Sequence, residues 1–122
     1  MDAIQQRRLL EKTKEIVERG WTQGRSAETQ FGKTCSPKSP FAHNWCLIGA
    51  CELTFHECML EKDDWREWVS LLRRILWDTD GPWSCANGKS LVEWNDAPER
   101  TKADILALLD AAIERAKAEE AT

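Results

Sequence analysis

Both histidines of the chain and three of its five cysteines fall within sixteen residues, HNWCLIGACELTFHEC at 43–58. These are the side chains of zinc sites and of thiolate nucleophiles, so their spacing decides which chemistry is open. On a helix each residue turns about 100° and rises about 1.5 Å. Cys51 and Cys58 then share a side about 10 Å apart along the axis. That exceeds the ~7 Å Cα separation a disulfide tolerates and the reach of one zinc ion. Cys46 and Cys51 diverge by about 140°. Neither C-x-x-C nor H-x-x-x-H spacing occurs, so no metal site and no cofactor is expected.

A Cys-His nucleophile is the remaining chemical reading. It would use Cys46 near a helix start, where thiol pKa values fall. His43, three residues earlier, would be the base, and Asn95 or Asp96 would orient it. Against it, neighbours on one helix seldom make a substrate cleft, and no oxyanion-hole loop is visible. The stretch reads foremost as a core helix. Cys46 and Cys51 are then small apolar core residues beside Gly49-Ala50, and Gly49 admits another helix at close range.

The elements that would position these residues follow from apolar periodicity. Leu9, Leu10, Thr13, Ile16 and Val17 make a stripe for a helix over 2–19. Gly20 stands at the left-handed C′ position that ends it, with Trp21 folding back as C″. Residues 22–39 form a long polar loop. Ser39-Pro40 starts a helix over 40–60. Asp64 caps a third helix over 65–78, with Trp65, Trp68, Val69, Leu72, Ile75 and Leu76 on its stripe. Near 83–95 two readings compete. One is a short helix over LVEWN with Ser90 as N-cap; the other is a hairpin closed by Asn87-Gly88, and the helix is preferred. Thr101 and Asp104 start the last helix, 101–119. The expected fold is all-α: one domain, 1–122, with four main helices in a small bundle.

Composition narrows the class of function. The 122 residues carry a net charge of −4, distributed as +3 over 1–40, −4 over 41–80 and −3 over 81–122. The basic excess is too small and too mixed for a phosphate-tracking surface, so nucleic acid is disfavoured. No apolar run reaches the ~18 residues of a membrane span, and the N-terminus lacks a signal-peptide apolar region. The expected location is the cytoplasm of a bacterial host cell, with free thiols. Seven tryptophans and no tyrosine supply core mass and candidate interface residues, for which Trp65, Trp68, Trp77 and Trp83 are singled out.

Three separated segments carry a family resemblance: GWTQG at 20–24, WCLIGA at 45–50, and WNDAPERT at 94–101 followed by DILALLDAAI. Together they resemble an uncharacterised family of small proteins, a domain of unknown function, of actinobacterial and other bacterial genomes and of phages. The matching positions are Gly20, Trp21, Gln23, Gly24, Cys46, Gly49, Ala50, Trp94, Asn95, Asp96, Pro98 and Thr101; His43 and His56 fall outside. The resemblance implies a phage or bacterial accessory role and brings no activity, substrate or cofactor. Physical reasons for several of these residues need no chemistry. Asn95 suits a left-handed C-cap, and Asp96 can accept N–H groups of the following turn. A junction is expected in which the Trp21–Gly24 loop meets the Trp94–Asp96 turn near the start of the Cys46 helix. Its candidate members are Trp21, Gln23, Cys46, Trp94, Asn95 and Asp96.

The leading functional expectation is a non-enzymatic accessory protein of a phage or mobile element. It would bind another protein, with host modulation or defence inhibition as the setting. The alternative is a small-ligand-binding or Cys-dependent enzyme using Cys46 with Asn95 and Asp96. Self-association through the same apolar surface is a third possibility.

Overall fold

A computed structural model of the chain describes residues 1–80 and 91–122. Along it run α1 (Ala3–Arg19), β1 (Ala27–Thr29), β2 (Ala42–Trp45), α2 (Leu47–Glu57), α3 (Lys62–Asp80), α4 (Leu91–Asn95) and α5 (Lys102–Glu120). The Asp2 carboxylate accepts the Gln5 N–H at 2.8 Å and so starts α1. The stripe Leu9, Leu10, Thr13, Ile16 and Val17 is buried. It packs on Ile105, Leu108, Leu109, Ala112, Ile113 and Ala116 of α5. The two helices are antiparallel, as their cross-links show. Arg7 meets Glu120 at 2.8 Å, Lys14 meets Asp110 at 2.6 Å, and the Lys102 ammonium donates to the Glu18 carbonyl at 2.7 Å.

α2 crosses α1 through a buried hydroxyl pair. Thr13 Oγ1 and Thr54 Oγ1 lie 2.9 Å apart, and each is within hydrogen-bond distance of the carbonyl four residues back. Trp68 of α3 fills the space beneath α2, tilted against Phe55 at 5.7 Å. Its indole N–H has no hydrogen-bond partner of good geometry among the described residues and faces the Cys51 thiol. That N–H favours the thiolate, but burial outweighs it and pushes the Cys51 thiol up to about 12.

The all-α expectation is overturned. The fold is mostly helical but mixed, because β1 and β2 pair antiparallel, with Ala27 opposite Trp45, Glu28 opposite Asn44 and Thr29 opposite Ala42. A register shift falls between Glu28 and Thr29. Residues 20–22 add a parallel bridge beside Trp45. Its N–H donates to Gly20 O at 3.1 Å, and Thr22 N–H donates to Trp45 O at 3.2 Å. These strands are three and four residues long, too short to show the period-2 pattern that marks a strand in sequence.

The expected helix over 40–60 therefore loses its first third. Ser39 does not cap it: its hydroxyl accepts the Phe41 N–H at 3.1 Å in a local turn. Helix α2 begins after Cys46, since residues 42–45 spend their backbone groups on neighbouring strands. The stretch 22–39 is likewise not one open loop, because it holds β1 and a turn closed by Gly32 N–H on Thr29 O at 3.0 Å. Gly20 is extended, with φ 177°, rather than left-handed. Its lack of a side chain serves closeness instead, since a Cβ there would overlap His43 O and Asn44 Oδ1 of β2. Asp64 acts from the third position of α3, accepting the Glu61 N–H at 3.3 Å, so that helix starts earlier than expected. Of the competing readings near 83–95, Leu91–Asn95 is helical. Ser90, Asn87-Gly88, Trp83 and Cys85 lie outside the described residues. The Thr101–Asp104 capping box forms, with Asp104 N–H to Thr101 Oγ1 at 3.3 Å and Thr101 N–H to Asp104 Oδ2 at 2.9 Å. No helix among the described residues is long and apolar enough to cross a membrane.

Candidate functional site

Asn95, the last residue of α4, is completely buried, and a buried amide must spend two donors and two lone pairs. It spends all four. Oδ1 accepts the Trp21 indole N–H at 2.8 Å and the Leu47 backbone N–H at 3.0 Å. Nδ2 donates to Thr22 O at 3.1 Å and to Asp96 Oδ1 at 3.0 Å. Gln23 completes the link, with Nε2 donating to Asn95 O at 2.9 Å and Ala97 O at 2.8 Å. Asp96 Oδ1 also accepts the Gly24 N–H at 2.9 Å. The structure thus brings Trp21, Gln23, Asn95 and Asp96 together at the first turn of α2. Trp94 is buried beside them, with the Arg100 guanidinium 4.2 Å above its ring.

Two residues reach this geometry by routes the sequence did not show. Asn95 is not a left-handed C-cap, because Met59 is the non-glycine residue with positive φ among those described; its side chain caps a different helix. Asp96 ties down Gly24, seventy-two positions earlier, rather than its own following turn. Thr22 O and Leu47 N–H, both essential to the network, were invisible in sequence because backbone groups carry no residue signature.

Cys46 is the N-cap of α2, its sulfur accepting the Gly49 N–H at 3.2 Å. Helix-start N–H groups pull a thiol pKa down, but here burial wins and raises it. His43 does not stand beside it on a helix. It lies on β2 and is exposed, while Cys46 is buried. Gly49 does admit a close neighbour, though not a helix: a Cβ there would overlap the Ser26 carbonyl oxygen. That same oxygen accepts the Cys46 N–H at 3.1 Å. The junction is therefore a saturated polar staple joining residues 20–26, the start of α2 and the end of α4. Its thiol is buried with its pKa pushed up, and all four hydrogen-bonding positions of its amide are engaged within the chain.

Residues 1–115 match the model of a family of unknown function, DUF6197. The chain belongs to the DUF6197 family. No curated protein and no solved structure matches it.

The surface of this DUF6197 chain offers more than its junction. Of the tryptophans expected at an interface, Trp68 is fully buried and belongs to the core, since the α3 stripe points it at Phe55 and Cys51. Trp65 is half-buried, edge-on to Phe55 at 5.1 Å. Trp77 is 44% exposed. Among the described residues the most exposed large apolar side chains are others: Met59 at 88%, Phe31 at 82% and Phe41 at 76%. Phe31 and Phe41 border one hollow of about 530 Å³. Met59 and Trp65 border another of about 560 Å³, which also holds the half-buried Glu52, raised in pKa by burial against an opposing pull from Lys38. Met59 has φ 54° and closes α2, its N–H donating to His56 O at 3.2 Å while Leu60 N–H donates to Phe55 O at 3.1 Å. This is a Schellman closure with methionine where glycine is favoured.

Proposed function

We propose that this DUF6197 chain acts by binding another protein, without chemistry of its own. The observation that carries this reading is the exposure of Phe31, Phe41 and Met59 beside a core that buries Trp45, Trp68 and Trp94. Exposed large apolar side chains grouped around hollows are the mark of association surfaces. The alternative, a Cys-dependent enzyme using Cys46 with Asn95 and Asp96, has less support. Cys46 is buried with a raised pKa, and the Asn95 amide is fully engaged. An accessory role in a phage or mobile element, exerted on a host protein, fits a small binding domain with no chemistry of its own.

Affinity capture with mass spectrometry tests the reading. The full chain is compared with a Phe31→Ser, Phe41→Ser, Met59→Ser variant of matched thermal stability. The expected result is a stoichiometric partner retained by the first and lost by the second. A stable monomer that retains no partner in lysates of several bacterial hosts overturns it.

A further inference from the structure

Phe31 and Phe41 reach the surface by the same local device. Each follows a hydroxyl residue by two positions. Thr29 Oγ1 accepts the Phe31 N–H at 3.2 Å and the Lys33 N–H at 3.3 Å, and Ser39 Oγ accepts the Phe41 N–H at 3.1 Å. Further backbone bonds brace both turns: Thr29 N–H to Lys33 O at 2.8 Å, and Ala42 N–H to Ser39 O at 3.1 Å. The Arg25 guanidinium donates to Gly32 O at 2.6 Å at the tip. Two aromatic residues thus sit on hydrogen-bonded turns at the edge of one hollow. A backbone ordered before binding loses little freedom when a partner arrives.

The chain segment that forms this hollow departs in charge from the rest of the molecule, although of its cations Lys33 borders the hollow and Lys38 borders the other one. Residues 25–43 contain Arg25, Lys33 and Lys38 against Glu28, a net +2 in a chain of −4, which leaves −6 on the remainder. The one acid is already engaged, with Oε1 accepting from Asn44 Nδ2 at 3.0 Å and Oε2 3.5 Å from Arg25. The hollow itself is lined by Lys33 and His43 and by no carboxylate. Lys33 makes no ion pair among the described residues.

We propose that the Phe31–Phe41 hollow receives an acidic peptide segment of a partner protein, with a large apolar side chain seated between the two rings and a flanking carboxylate on Lys33. The inference rests on the protein-binding reading and deepens it. A basic segment or a nucleic acid fits less well. The first would meet only Lys33 and His43, and the second would lack the array of cations that phosphates require.

The test is selection of a displayed library of random linear peptides on the full chain, followed by affinities of synthetic copies of the enriched peptides. The expected peptides carry Asp or Glu beside Trp, Phe, Leu or Ile. Phe31→Ser or Phe41→Ser weakens them about tenfold or more. Lys33→Glu weakens them about threefold and flattens the salt dependence of binding. Enriched peptides that are basic, or that bind both Phe variants as well as the parent, overturn the proposal while leaving protein binding elsewhere on the chain intact. Selection that enriches nothing overturns it too, and the broader reading then stands or falls on affinity capture. A concentration-dependent dimer abolished by Phe41→Ser gives the hollow to a second copy, and displacement of the peptides by a single-stranded oligonucleotide gives it to nucleic acid; both overturn it.

Discussion

Replacing Asn95 by Ala is the sharpest test of how this molecule is held together. The side chain has no solvent exposure and makes four hydrogen bonds. Its removal strands the Leu47 N–H, the Trp21 indole N–H and the Thr22 carbonyl, while Asp96 keeps the Gly24 N–H. Each buried polar group left unpaired costs about 1–3 kcal/mol; the Trp21 indole is only half-buried and water entering the gap favours the low end, so the loss is about 3–6 kcal/mol. A domain of this kind has about 5–15 kcal/mol in total, so the variant is barely folded or unfolded at ambient temperature. Urea titration followed by tryptophan fluorescence reads the loss. Trp21→Phe supplies the control, because it deletes one of the stranded donors. Alone it costs about 1 kcal/mol, and in its background Asn95→Ala costs about 1–2 kcal/mol less than in the parent. An Asn95→Ala loss below about 1 kcal/mol, or strict additivity of the two changes, would refute the account of the junction as a staple.

Four further outcomes follow from the geometry. Among the four described cysteines, iodoacetamide labels exposed Cys58 first and half-buried Cys35 next, and reaches Cys46 and Cys51 only on unfolding; early labelling of Cys46 by peptide mapping contradicts its role as a buried cap. Cys51, pushed up to about 12 by burial, keeps its proton where the unfolded chain releases it, above pH about 8.5. Stability is therefore intact below that pH and falls as pH rises toward the folded value. Between pH 8.5 and 10 the loss is about 1.5 kcal/mol more in the parent than in Cys51→Ala, read from urea midpoints. Met59→Gly removes the left-handed methionine and raises stability by about 1 kcal/mol, seen as a higher Tm; no change means the α2 closure carries no strain. Gly49→Ala drives a methyl into the Ser26 carbonyl and costs at least about 2 kcal/mol by calorimetry, whereas a neutral result means that residues 24–27 yield freely.

The long helices were legible because their apolar stripes are periodic and their ends carry chemical marks. α1 and α5 follow Leu9 to Val17 and Ile105 to Ala116, and Thr101–Asp104 caps α5 as its spacing requires. The meeting of GWTQG with WNDAP at the start of α2 was also foreseeable, since Gln, Asn and Asp in short turns must find partners. Misreadings gathered where local preference was overruled. Ser39-Pro40 looks like a helix start, but Trp45 is claimed by Gly20 O on one side, by β1 on the other and by Pro37 O at its indole, 3.0 Å away. No short window of sequence contains those contacts.

By itself, the sequence determined which segments are amphipathic and where helices α1 and α5 begin. Those properties are local, set by 3.6-residue periodicity and by side chains reaching a turn away. Only the tertiary structure decided that Cys46 is buried as the cap of α2, that Asn95 serves a helix other than its own, that Trp68 is core, and that Phe31 and Phe41 stand out. Each depends on burial and on backbone groups from distant positions, and those are fixed only when the whole chain has packed.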